Sequence, residues 1–380
     1  MRKKLLIKAN GIANARKSGV ISGVGRSTQK LLSALNNMDK LPFDIEVYVD
    51  GTSGIGFDFY GWRFSHSVFP LPVSWGNEKT CIEPWFRKHF MNYDLLHIPH
   101  NDDWVYKGEN FVVTMHDVFE YDVAVENNKQ KVIEKWRTMA YNSLGIITCS
   151  EYSKGEILKR FNVPEDKICV VYWGTSIDTF YVNEKSETDE ILMSLGIVGP
   201  YFLSISCAHP RKNIKTLLHA YRKFREVSFK LNRKHCLHKL VLVWNNPPQE
   251  ILDEFSKEID EGSIVFLGSL SDKNIRALYC GATCTMFPTL AEGFGFPILE
   301  SFACGTPVMT CKNTSIPEVG RDAAIYVGER DIDSMSNVME MFEKGEYDMT
   351  KFYADSNRVI DSFSWENTAQ KYIDFYMKYI

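Results

Sequence analysis

Short apolar runs of strand type alternate with helical patterns along this 380-residue chain, which confines it to parallel α/β architecture. In the first half, residues 5–9, 45–49, 95–98, 111–115, 145–149 and 168–172 read as strands, and 26–35 and 154–161 as helices. The stretch 178–199 is polar and reads as a linker, after which the alternation restarts. Residues 201–206, 239–244, 264–267, 284–287 and 307–310 then read as strands, with helices at 214–227 and 272–280. Residues 364–379 form an amphipathic, aromatic-rich end. The chain is too long for one ordinary core. Two Rossmann-like domains facing a cleft are therefore expected, with ligand at the strand carboxyl ends.

Hydrophobic content of 44% and charged content of 24% suit a soluble globular protein. The net charge of −4 divides into +1 for residues 1–180 and −5 for 181–380, so neither half carries the positive bias of a nucleic-acid binder. Nine cysteines without a regular framework read as reduced thiols in a cytoplasmic protein. Cys280 and Cys284 are close but have no second ligand pair, so no metal is expected. No apolar run approaches the ~20 residues of a membrane span, and the basic start MRKKLLIKANGI is too short in its apolar part for a signal peptide. Peripheral association with a membrane surface stays open.

The segment AEGFGFPILESFACGTPV, residues 291–308, carries the densest chemistry. Gly293 and Gly295 let backbone N–H groups approach a ligand, Pro297 suits a first helical position, and Gly305 a C′ stop. A helix N-terminus attracts anions, while Glu292 and Glu300 repel phosphate and hydrogen-bond hydroxyls, so the mixture suggests a nucleotide sugar. In SISCAHPRKNIKTLL, Arg211 and Lys212 precede a helix, where two cations oppose the helix dipole unless an anion compensates. A diphosphate compensates them, and a solvated basic turn is the alternative.

The first βα connection, SGVISGVGRST, places Gly19, Gly23 and Gly25 between strand and helix without the dinucleotide order G-x-G-x-x-G or its following acid. It reads as a structural turn or as a loop near phosphate or substrate. His116 and Asp117 end the strand FVVTMHD, where His116 could meet a sugar hydroxyl or be satisfied locally. His97 and His100 read as structural, and the D-x-D pair Asp331 and Asp333 as a helix cap.

Taken together, these segments resemble the retaining glycosyltransferases of family 4. Glu292 and Glu300 match that family's signature of two glutamates separated by seven residues. SGVGRSTQKLLSAL, TMHDVFEY, TCSEYSKGEI, VYWGTSIDTF, YFLSISCAHPRKNIKTLLHAY, FLGSLSDKNIRALYCGA, SIPEVGRDAAIYVG and FSWENTAQKYIDFY resemble the family's other segments, in order. The resemblance implies a GT-B fold with an acceptor domain at 1–180, a donor domain at 181–362, and a C-terminal helix at 363–380 crossing back to the first.

It also implies that Arg211 and Lys212 neutralise the donor diphosphate, that Glu300 holds the ribose, and that Glu292 with Gly293, Phe294 and Gly295 contacts the moving sugar. His116 would reach that sugar from the first domain. Ser206, Gly268, Phe296 and Leu299 would complete the donor pocket, and Gly23 and Gly25 the loop near diphosphate or acceptor. Some relatives carry an additional basic residue before the R-K pair where this chain has Ser204, Ile205 and Ser206, so Ser204 or Ser206 would share the diphosphate. The implied reaction needs no cofactor or metal. It moves mannose from GDP-mannose, or a hexose from UDP or another GDP-sugar, to a saccharide or lipid-linked saccharide. The missing dinucleotide fingerprint argues against an NAD-dependent oxidoreductase. A sugar-nucleotide epimerase of the same fold and a non-catalytic sugar-nucleotide binder compete with the transferase reading.

Overall fold

The computed structural model describes residues 2–18, 21–70, 82–101, 103–205, 207–230 and 238–380. They divide into two compact units, Met1–Gly174 with Ser364–Ile380, and Thr175–Phe363. In the first unit the strands are β1 (Lys4–Lys8), β2 (Asp44–Asp50), β3 (Ser65–Phe69), β4 (Leu95–Ile98), β5 (Phe111–Thr114), β6 (Gly145–Thr148) and β7 (Ile168–Val170). They form one parallel sheet in the order β3-β2-β1-β4-β5-β6-β7. In the second unit β8 (Tyr201–Ser204), β9 (Lys239–Val243), β10 (Ile264–Leu267), β11 (Cys284–Phe287), β12 (Val308–Cys311) and β13 (Ile325–Val327) pair in parallel as β10-β9-β8-β11-β12-β13. Each sheet reverses its winding once, between β1 and β4 and between β8 and β11. Such a reversal opens a crevice at the strand carboxyl ends.

Strands covered on both faces need apolar side chains in both directions. In the second unit, Phe202, Leu240, Leu242 and Met286 enter one core layer beneath the Ile214–Lys230 helix, while Tyr201, Leu203 and Val241 enter the other. This two-residue period makes the strands legible from sequence alone.

Two expectations fail. The polar stretch 178–199 contains a helix, Lys185–Ser194, whose Leu192 packs with Leu278 and Tyr279 while its charged side chains face outward. So few apolar positions conceal the helical period. Gly23 and Gly25 do not form a loop: they open the Gly23–Asn37 helix, N-capped by Ser22. A Cβ on Gly25 would lie 2.6 Å from the Gly11 carbonyl oxygen, so the glycine permits close helix packing here.

The chain's end, the Trp365–Tyr376 helix, belongs to the first unit. Its tyrosines explain His97, which lies inside β4. Fully buried, His97 is hydrogen-bonded through Nε2 to Thr114 Oγ1 and through Nδ1 to Tyr376 Oη, both at 2.8 Å. Burial, aided by His116 and His100, lowers its pKa to about 3, so it is neutral and both ring nitrogens are satisfied. Tyr376→Phe leaves one of them unpaired in the core. The expected cost is ~1–3 kcal/mol of unfolding free energy, measured by denaturant titration; an unchanged midpoint would show that this bond does not anchor the helix.

Candidate active site

Three loops meet at the carboxyl ends of β8, β11 and β12. After β8 the chain makes a 3₁₀ turn, Pro210–Lys212, closed by Asn213 in the left-handed region. After β11, residues 288–295 lead into the Phe296–Ala303 helix, with Pro297 second in that helix rather than first. Gly295 ends this loop at φ 113°, a conformation that strains any L side chain. The Leu290 N–H donates to the Arg211 carbonyl at 2.7 Å, joining the first two loops.

At this junction Arg211, Lys212 and Glu292 come together. Arg211 Nη1 donates to Glu292 Oε2 at 2.7 Å and to the Ala291 carbonyl at 2.6 Å. Lys212 Nζ donates to Glu292 Oε1 at 2.5 Å, and its ammonium stands 5.0 Å from the Phe287 ring centroid. Thr289 Oγ1 donates to Glu292 Oε1 at 3.1 Å. Burial pushes the Glu292 carboxyl up, but Lys212 and Arg211 outweigh it and hold the pKa below the ordinary value. The carboxylate is therefore ionised, and the trio carries a single net positive charge. A buried ion cluster of this kind, at the point where the sheet reverses, suits an anionic ligand.

The third loop, after β12, carries groups outside the candidate site residues expected from the sequence. Thr314 Oγ1 accepts from the Glu292 N–H at 3.2 Å, and Ser315 Oγ donates to the carbonyls of Glu292 and Phe294 at 2.9 and 3.0 Å. Asn313 Nδ2 donates to the Thr289 carbonyl at 3.1 Å. Thr314 adopts φ 47°, uncommon for a β-branched residue and sustained only where the surroundings over-determine it. Their local signal is the polar run K-N-T-S between a strand and a helix, with Ser315 opening the family-like segment SIPEVGRDAAIYVG.

Glu300 is not part of the ion cluster. It sits in the Phe296–Ala303 helix, 8% exposed, and accepts from Tyr279 Oη at 3.1 Å. Leu299 is buried, and the Phe294 ring packs against Phe296 and Phe363, so Phe294 offers its backbone rather than its ring to a ligand. Gly293 is buried in the loop, and Gly268 directly follows β10. Ser204 is buried in β8, where it meets Cys207 Sγ. Ser206 and Gly19 lie outside the described residues. Asp331 caps the Ile332–Glu343 helix through the Ser334 N–H at 2.9 Å, and Asp333 pairs with Lys223, which matches the capping expectation.

His116 belongs to the first unit, directly beyond β5 and Met115. Its Nε2 faces the Pro99 carbonyl at 2.9 Å; a carbonyl only accepts, so Nε2 carries the proton. Nδ1 is then an acceptor, buried and without a hydrogen-bond partner among the described residues. Burial, partly opposed by the Pro99 bond, lowers the pKa to about 4. The His116 ring lies 5.0 Å from that of Trp173.

A further charged cluster, unmarked by any local sequence pattern, lies where β1 and β2 end. Lys8 Nζ stands 2.5 Å from Asp50 Oδ2 and 2.6 Å from Asp103 Oδ2, and Arg87 joins Glu83 to Glu109, all of them at least nine-tenths buried. Among the described residues no three His, Cys, Asp or Glu side chains are grouped to hold a metal, and no helix is long and apolar enough to cross a membrane.

Comparison with known proteins matches both halves of the chain. Residues 21–179 fit the model "Glycosyltransferase Family 4", and residues 199–342 fit "Glycosyl transferases group 1". The O-antigen chain mannosyltransferase B of Escherichia coli is 29% identical over 290 residues, covering 72% of this chain and 74% of that protein. Among solved structures, sucrose-phosphate synthase from Thermosynechococcus elongatus has a TM-score of 0.72 at 17% identity, covering 99% of each chain. HepE of Anabaena, solved with UDP and glucose, has a TM-score of 0.73 at 15% identity, covering 99% of this chain and 100% of its own. The chain shares the GT-B fold of these neighbours, and the two family models identify it as a member of glycosyltransferase family 4.

Proposed function

We propose that this glycosyltransferase moves mannose from GDP-mannose to a saccharide or lipid-linked saccharide acceptor, with retention of configuration and without a metal. The observation that carries the proposal is the Arg211–Lys212–Glu292 cluster at the ends of β8 and β11. Breaking a sugar–phosphate bond leaves negative charge on the departing diphosphate, and fixed cations stabilise it without reorganising. Here Glu292 holds Arg211 and Lys212 in place, and the following helix N-terminus adds its positive end. Retention follows if the acceptor attacks on the leaving-group face while the diphosphate takes its proton. Glu292 then positions the sugar, and Glu300, fixed by Tyr279, accepts from the ribose hydroxyls. His116, neutral with an accepting Nδ1, suits a sugar hydroxyl as donor rather than a proton to be moved.

The relative named as an O-antigen chain mannosyltransferase supports mannose as the transferred sugar and a saccharide chain as the acceptor. The neighbour solved with UDP and glucose supports a UDP-hexose as the second reading. A thermal-shift screen against GDP-, UDP-, ADP- and dTDP-sugars separates the two. GDP-mannose should stabilise most, with no dependence on EDTA; stabilisation by UDP-sugars alone would overturn the choice of base. Incubation with GDP-mannose and no acceptor should leave the sugar unchanged, whereas an isomerised sugar would indicate an epimerase.

A further inference from the structure

A cavity of about 380 Å³ opens in the second unit at the amino ends of β11 and β12. That volume falls within the ~300–1,000 Å³ of ligand pockets. Thr283 leads from it into β11, and Gly305 and Thr306 lead into β12. Phe342, in the last turn of the Ile332–Glu343 helix, Tyr347 after it, and Tyr353 of the Met349–Ser362 helix supply the aromatic wall. The Arg211–Lys212–Glu292 cluster lies at the carboxyl ends of the same sheet, and a four-residue strand advances ~10 Å, so the two places are separate.

The lining contains no Asp, Glu, Lys, Arg or His. It offers aromatic rings and hydroxyls instead. The ring centroids of Phe342 and Tyr347 lie 4.7 Å apart. Phe352, buried behind them, stands 6.4 Å from the Tyr347 ring and 5.4 Å from that of Tyr353, so the wall is fixed before a ligand arrives. Tyr353 itself is 48% exposed. The Thr306 hydroxyl is taken by the Tyr279 carbonyl at 2.6 Å. The side-chain hydroxyls of Thr283, Tyr347 and Tyr353 make no hydrogen bond among the described residues.

These walls select among ligands. An ionic ligand would lose its water and meet no counter-charge, and a purely apolar one would bury the three hydroxyls unbonded. A sugar ring has an apolar C–H face and a hydroxyl edge. Tyr and Phe rings cover the first, and Tyr and Thr hydroxyls bond the second. A neutral saccharide therefore suits both kinds of surface.

We propose that this cavity is a second saccharide-binding site, which holds an uncharged stretch of glycan on Tyr353 and Tyr347 away from the donor site. That the glycan is the enzyme's own acceptor or product rests on the transfer reading given above; the affinity for neutral sugar does not. Holding one part of a chain raises the local concentration of the rest, so a chain held here is presented repeatedly to the same molecule.

The test uses the purified full-length chain with methyl-labelled methionine, titrated with mannotriose and with maltotriose. Met349 lines the cavity, and its methyl signal is assigned through Met349→Leu. Expected is a saturable shift of that signal with at least one trisaccharide, with affinity about fivefold weaker in Tyr353→Ala. Tyr353 is exposed, so this variant should keep its fold, which circular dichroism checks. Lys212→Ala should leave the titration unchanged. No shift with either sugar, equal affinity in Tyr353→Ala, or loss of the shift in Lys212→Ala overturns the proposal. So does a Met349 shift that follows protein concentration without sugar, the sign of a second copy seated there. Failure of the transfer reading shows instead in the screen against nucleotide sugars and leaves the Met349 titration as it is.

Discussion

Lys212→Ala is expected to lower sugar transfer by ~10²–10³-fold while the protein stays folded, the usual cost of removing one preorganised group that meets transition-state charge. The ammonium is fixed by Glu292 Oε1 and the Phe287 ring, so it waits in place and needs no rearrangement. Its loss takes the Arg211–Lys212–Glu292 trio from net positive to neutral, so binding of a nucleoside diphosphate should weaken as well. Glu292→Ala should behave differently. Transfer should again fall by orders of magnitude, because the group that positions the sugar is gone. Diphosphate binding should hold or tighten, since two cations then face the anion alone. Steady-state kinetics on purified variants, with folding checked by circular dichroism, decides this; near-normal rates in either variant would refute the assigned roles.

Lys8→Met is expected to cost ~3–5 kcal/mol of stability, the range found when one partner of a buried ion pair is removed. Lys8 is 2% exposed, and burial works against its charge, yet Asp103, Glu83 and Asp50 outweigh that and raise its pKa above the ordinary value. In the wild type this contribution is fully present below the ordinary lysine pKa and is lost only as pH rises through the raised one. In the variant the acids stay buried without their cation, and the native-state pKa values of Asp103 and Glu83, both held down by Lys8, rise. A carboxylate with a raised folded pKa destabilises above its unfolded pKa of ~4 and stops doing so as it protonates. The deficit against wild type should therefore be largest near neutral pH and shrink toward pH ~4. Urea titrations at several pH values measure it; a small, pH-independent deficit would mean that water or side-chain movement compensates the acids.

The parts legible in the sequence were those written in local patterns. Strands such as Phe111–Thr114 and Cys284–Phe287 are buried on both faces and stand out as apolar runs. Arg211 and Lys212 were recognisable because two cations before a helix need an anion, and Glu292 is the anion the fold supplies. What escaped was set by partners distant in sequence. Lys8 reads as an ordinary charged strand end, and its acids lie at positions 50, 83 and 103. Thr314 and Ser315 gain their meaning only when the loop after β12 closes over Glu292. Gly25 reads as a ligand-loop glycine because a close helix contact and a close phosphate contact ask for the same residue.

Calorimetric titration of the full-length chain with GDP-mannose, comparing wild type with Lys212→Ala and Glu300→Ala, tests the donor site most directly. The expected result is one binding site in the wild type, with affinity at least tenfold weaker in each variant. Wild-type affinity in both variants would show that the nucleotide sugar binds elsewhere and would contradict the assignment.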